Sequence, residues 1–81
     1  MNTRLTPRAL KSYLEAAESI QKSFDKQTGL LADNLRHPSL HAKKYDETNN
    51  IWQARVNKSW RFYFLISGDA YVIVDLSRHP K

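Results

Sequence analysis

The hydrophobic period of this chain changes once, and that change constrains the fold more than any other feature. From Leu10 onward, Leu10, Leu14, Ala17, Ile20, Phe24, Thr28, Leu31 and Leu35 recur every three or four positions, with Tyr13 beside them. Such spacing lines one face of a helix with apolar groups. From Ile51 the period is two: Trp52, Ala54 and Val56 alternate with Gln53, Arg55 and Asn57, and Trp60, Phe62, Phe64 and Ile66 alternate with Arg61, Tyr63 and Leu65. Helices followed by a run of strands is an α+β order.

The helical stretch opens at Thr6-Pro7, a hydroxyl N-cap followed by proline at the first helical position. It stops at Arg36-His37-Pro38, because the residue before a proline is pushed out of the helical region. A single helix over residues 7–35 would be ~43 Å long, whereas a domain of this size has a radius of gyration of only ~12 Å. The helix is therefore expected to break near Glu15–Ser19 and form a helical hairpin, with Gly29 the other candidate. Asn2–Thr6 reads as an edge strand, Leu40–Tyr45 as a strand before the polar turn Asp46–Asn50, and Ala70–Ser77 as the last strand. Asn57-Lys58-Ser59 and Ser67-Gly68-Asp69 have the composition of hairpin loops. The expected fold is one domain over 1–81: an N-terminal strand, a helical hairpin, then an antiparallel sheet of about four strands.

Loop positions set the faces of that sheet. Pairing Val56 with Trp60 puts Arg55 opposite Arg61 and Gln53 opposite Tyr63 on one face. Trp52, Ala54, Val56, Trp60, Phe62 and Phe64 share the other face, which the helices must cover. If Ser67 pairs with Tyr71, Arg61 lies opposite Ser77. Tyr71, Ile73, Asp75, Ser77 and His79 then join the arginine face, and Val72, Val74 and Leu76 the core; a one-residue slip reverses this.

Charge falls unevenly along the chain. Residues 1–35 hold five Lys/Arg against four Asp/Glu, and residues 36–81 hold eight (Arg36, Lys43, Lys44, Arg55, Lys58, Arg61, Arg78, Lys81) against four, with all three histidines. A basic half suits a polyanionic partner such as RNA, DNA or an acidic protein segment, although small basic domains are also common for solubility alone. No cysteine is present, which removes disulfides and thiolate metal sites. His37 and His41 flank a proline at a helix end, so no metal set and no cofactor is expected. With no apolar run near the ~18 residues that span a bilayer and no secretion signal, the expected location is the cytoplasm.

Two arginines directly opposite one another repel, and such a pair is usually tolerated when something anionic lies between them. Arg55, Arg61 and His79 with lysines nearby suit RNA scission by its own 2′-hydroxyl, which needs a base, cations for the crowded phosphate and an acid for the 5′ oxygen. The same pattern permits a plainer outcome, in which Asp75 neutralises Arg61 and His79 is a terminal residue without a role.

These residues carry a resemblance. The HPSL-x-x-KK segment, the x-x-W-x-A-R-V-N-x-x-W-R-F hairpin, the Gly-Asp turn, the final strand ending in His79 and the TPRAL opening together resemble the RelE/ParE superfamily of type II toxins. The resemblance implies a strand, a helical hairpin and an antiparallel sheet, a cognate antitoxin as partner, and one of two targets. RelE-like members cut mRNA on the ribosome, whereas ParE-like members poison DNA gyrase without known hydrolysis. A non-toxic module of the same fold that binds nucleic acid or an antitoxin is a further alternative. For the mRNA-cleaving branch the resemblance implies Arg61 as the phosphate-stabilising arginine, His79 as the acid and Lys44 as a candidate base. Arg55, Lys43, Lys58, Arg78 and Tyr63 would hold RNA. No glutamate stands at an obvious base position.

Overall fold

The computed structural model describes residues 1–79; Lys81, counted above in the basic half, lies outside them. Its elements in chain order are β1 (Asn2–Leu5), α1 (Pro7–Glu15), α2 (Glu18–Asp33), a 3-10 turn (Pro38–Leu40), β2 (Lys43–Asp46), β3 (Ile51–Arg55), β4 (Trp60–Ser67) and β5 (Ala70–Arg78). Among the described residues the strands form one sheet in the order β1-β5-β4-β3-β2. The chain starts on one edge, crosses through the helical hairpin to the other, and returns as an antiparallel meander. That return brings β5 back beside β1, and the two run parallel. The sheet is therefore mixed.

The helix break falls where length requires it. Principal extents of 30 × 27 × 25 Å leave no room for an unbroken helix. Thr6 caps α1, its Oγ1 accepting from the Ala9 amide at 3.1 Å. Ala16 and Ala17 are extended between the helices. The Gln21 side chain donates to the Tyr13 carbonyl at 2.8 Å, so one end-of-helix acceptor finds a partner. Tyr13 closes the hairpin, its ring 5.4 Å from Phe24 and its hydroxyl donating to the Asp25 carboxylate at 3.0 Å. Gly29 continues α2 without a break.

Phe62, Phe64, Ile73, Leu31 and Leu40 are the largest fully buried side chains. Phe24, Phe62, Phe64 and Tyr71 form an aromatic chain, edge-on at 5.5 Å between Phe24 and Phe62 and at 5.6 Å between Phe64 and Tyr71. The helix period did not give the rotation of α1 correctly. Ala9 and Tyr13 turn inward, while Leu10 and Leu14 stand 47% and 65% exposed, because the β1–Thr6 entry fixes which side of the helix meets the sheet.

The β3–β4 register is as expected, with Arg55 opposite Arg61, Gln53 opposite Tyr63 and Ala54 opposite Phe62. On β5 the expected loop pairing is corrected. Ser67 pairs with Ala70, not Tyr71, yet Arg61 still faces Ser77, because the register shifts between Tyr63 and Phe64 and leaves Val74 as the extra residue of a β-bulge. Facing parity inverts there. Tyr71 and Ile73 are in the core, contrary to the sequence reading, together with Leu76 beyond the bulge, and Val72 and Val74 are only half-buried. Thr6 holds the irregularity from the other end of the chain: its amide donates to Ile73 at 3.0 Å and its hydroxyl to the Val74 carbonyl at 3.3 Å.

Candidate nucleic-acid interface

Strand alternation and the bulge together decide what the outer sheet face presents. Arg55, Arg61 and Ser77 lie in one row across β3, β4 and β5, and Gln53, Tyr63 and Asp75 in the next. A groove of about 460 Å³ crosses the first row, lined by His41, Ala42, Lys43, Gln53, Arg55, Arg61 and His79. Four of the residues singled out from sequence therefore meet in one place: Arg55, Arg61, Lys43 and His79.

Arg61 is the unusual member. It is only 7% exposed, and its Nη1 donates to the carbonyls of Asn57 (2.9 Å) and Trp60 (3.0 Å). Among the described residues no carboxylate reaches Arg55 or Arg61; the ion pairs are Arg8–Asp75, Lys22–Glu18 and Lys44–Glu47. Burial, and secondly the facing Arg55 charge, press the Arg61 guanidinium below the ordinary arginine value. Asp75 does not neutralise Arg61. It meets Arg8 at 3.3 Å, accepts from Ser12 Oγ at 2.9 Å and accepts from the Leu76 amide at 2.8 Å. A nearly buried cation beside a like charge and without an acid partner among the described residues is an arrangement that an anion would relieve.

The β3–β4 loop holds this pair in place. Asn57 Oδ1 accepts from the amides of Ser59 (2.8 Å) and Trp60 (2.9 Å), while its carbonyl receives Arg61. The Ser59 carbonyl in turn accepts from the His79 amide at 2.7 Å. One short loop thus positions both the strand arginine and the last histidine.

Other sequence candidates lie elsewhere. Lys44 is corrected: it pairs with Trp52, one residue out of phase with Lys43, and so points to the opposite face. There its ammonium sits 5.3 Å from the Trp52 ring and 3.3 Å from Asn50 Oδ1. Lys58 lines an adjoining hollow of about 620 Å³ with Lys26, sharing His41 and Arg55 with the groove. Tyr63 lies one row along the sheet, its ring 4.9 Å from that of Tyr45, in a third hollow of about 560 Å³. Arg78 borders that hollow and not the arginine groove.

Three residues escaped the sequence reading as site residues. His41 lines the groove from a left-handed backbone position (φ 47°) that ends the 3-10 turn. Gln53 forms part of the groove wall and is nearly buried. Gln27 supports the site from α2, its Nε2 donating to the carbonyls of Ser39 (3.1 Å) and Arg55 (2.9 Å). Neither period nor charge marks a glutamine that serves two backbone carbonyls. His37 caps the 3-10 turn, its Nδ1 accepting from the Ser39 amide at 3.2 Å.

No protein-family model and no curated protein sequence matches this chain. Solved structures do. The YoeB/ParE toxin from Agrobacterium tumefaciens superposes with a TM-score of 0.82 at 12% identity, over 99% of this chain and 100% of that one. YoeB in the heterotetrameric YoeB–YefM toxin–antitoxin complex from Staphylococcus aureus gives 0.78 at 15% identity, over 99% and 98%. The isolated RelE toxin from E. coli gives 0.78 at 11% identity, over 99% and 85%. The fold is the one that these YoeB and RelE toxin structures share. The superposition runs along nearly the whole of this chain for YoeB and RelE structures alike. Among the described residues no helix is long and apolar enough to cross a membrane.

Proposed function

We propose that this chain is the toxin of a type II toxin–antitoxin module and that it cleaves mRNA on the ribosome without a metal. The observation that carries the reading is the Arg55–Arg61 pair, one member nearly buried and both without an acid partner among the described residues, in the same groove as His79. Guanidinium groups grip a phosphate in two places and keep their charge throughout the reaction. As the 2′-oxygen loses its proton and attacks phosphorus, negative charge grows on the phosphoryl oxygens, where Arg61 and Arg55 stabilise it. The bond to the 5′-oxygen breaks, and His79 donates the proton that this oxygen needs. The products are a 2′,3′-cyclic phosphate and a 5′-hydroxyl end.

Lys43, Lys58 and Lys26 extend the positive surface along the strand's path. The Tyr45–Tyr63 pair offers a base an aromatic face one row from the phosphate grip. A cognate antitoxin with an acidic segment fits the basic groove, and the cytoplasm is where such a module meets the ribosome.

Inducing the gene and mapping mRNA ends, with and without ribosomes, tests the proposal. New ends that carry cyclic phosphate and require ribosomes are expected, and Arg61→Ala or His79→Ala should abolish them while antitoxin binding persists. Growth arrest with intact mRNA and DNA-damage signalling would instead place the target at gyrase.

A further inference from the structure

The cleavage reading supplies an acid and a phosphate grip but leaves the base unassigned. In-line displacement puts the entering 2′-oxygen and the leaving 5′-oxygen on opposite sides of phosphorus. The base must therefore stand across the arginines from the acid. The order β5-β4-β3-β2 fixes where that is: His79 ends β5, Arg61 and Arg55 occupy β4 and β3, and the far wall is built by the segment that enters β2. Across strands ~4.8 Å apart, the two walls are separated by ~14 Å of backbone, which side chains can narrow to the width of a ribose–phosphate linkage.

Two titratable side chains stand on that wall, His41 and Lys43, and among the described residues the groove has no carboxylate. As residue types they differ sharply. Imidazole is the side chain that accepts and gives protons near neutral pH, whereas a lysine ammonium has no lone pair with which to accept one. His41 is also held in position. Its amide donates to Pro38 O at 3.3 Å, Leu40 before it is fully buried, and the Ser39 carbonyl is tied to Gln27. The left-handed backbone at a non-glycine residue is uncommon and is maintained here by those contacts.

We infer that His41 is the general base of this site, taking the 2′-hydroxyl proton on one side of the arginine pair while His79 gives a proton on the other. The assignment rests on the RNA-cleavage reading and deepens it. Sulfur replacing the bridging 5′-oxygen separates the two roles, because a thiolate leaves without being protonated. With ribosomes programmed by mRNA of either kind, His41→Asn, which tolerates the left-handed position, should cut 10²–10⁴-fold more slowly on both. His79→Ala should be slow on the oxygen substrate and restored on the sulfur one. Normal cleavage by His41→Asn, confirmed folded by circular dichroism, overturns the inference, as does its rescue by sulfur, which would make His41 the acid. If the wild-type protein cuts neither substrate, the cleavage reading itself falls and this assignment with it.

Discussion

Gln27 gives the most direct test of how the helical layer holds the site. Its side chain is 6% exposed and its Nε2 donates to two carbonyls on different elements, Ser39 at 3.1 Å and Arg55 at 2.9 Å. Gln27→Met keeps the length of the side chain and removes both donors. Each bond contributes about 0.5–1.5 kcal/mol net, and acceptors left dry add to the loss. The expected destabilisation is about 2–3 kcal/mol. A chain of this length should have only about 4–12 kcal/mol in total, so the midpoint of urea unfolding should shift clearly, read by Trp52 and Trp60 fluorescence with an unchanged slope. Gln27→Ala should lose about 1 kcal/mol more, for the cavity. A Gln27→Met protein within 0.5 kcal/mol of wild type would refute this account, since the two bonds would then stabilise nothing that water does not.

Inorganic phosphate should raise the melting temperature at fixed ionic strength, by up to about 2.7 kcal/mol of stability at a hundred times its dissociation constant, and Arg61→Ala should abolish the response. Asn57→Ala removes the acceptor for the Ser59 and Trp60 amides. It should cost about 1–2 kcal/mol in urea unfolding and lower RNA cleavage more than that loss explains, because Arg61 and His79 both hang from this loop. Tyr13 titrates above the ordinary tyrosine value, chiefly because its hydroxyl donates to Asp25. A raised folded value means the contribution is intact below about pH 10 and is lost as pH rises through the folded value. Wild type should therefore lose stability in that alkaline range relative to Tyr13→Phe, measured as the difference in unfolding free energy between pH 8 and 11.

The order of elements was legible because three signals agreed: the change of period, the Thr6-Pro7 cap, and a helix too long for its domain. The β3–β4 register was legible because Asn57-Lys58-Ser59 leaves polar and apolar residues cleanly alternating on both sides. On β5 that signal vanishes. Tyr71-Val72-Ile73-Val74 is apolar at every position, so alternation cannot locate the point where parity inverts, and Thr6, which fixes the bulge, is 68 residues away. Lys44 failed for a related reason: two adjacent lysines carry the same charge signal, and only pairing with Gln53 and Trp52 decides which one faces the arginines. Leu10 and Leu14 satisfied the helical period while facing outward, since a period sets a stripe and not its azimuth.

The Arg55–Arg61 pair separates stability from activity. Like charges directly opposite on neighbouring strands are destabilising, and opposite charges contribute about 0.2–1 kcal/mol. Arg55→Glu exchanges a repulsion for an attraction without disturbing the Arg55 carbonyl that Gln27 uses, since that bond is to the backbone. It also gives a nearly buried guanidinium the acid partner that the described residues do not supply. The variant should be more stable than wild type by about 0.5–2 kcal/mol, unresponsive to phosphate and inactive on RNA. A like-charge pair directly opposed on neighbouring strands is a cost that folding alone does not explain. Should Arg55→Glu prove less stable than wild type, with its fold intact by circular dichroism, the pair would have to be read as a structural feature, and the anion site would lose its main support.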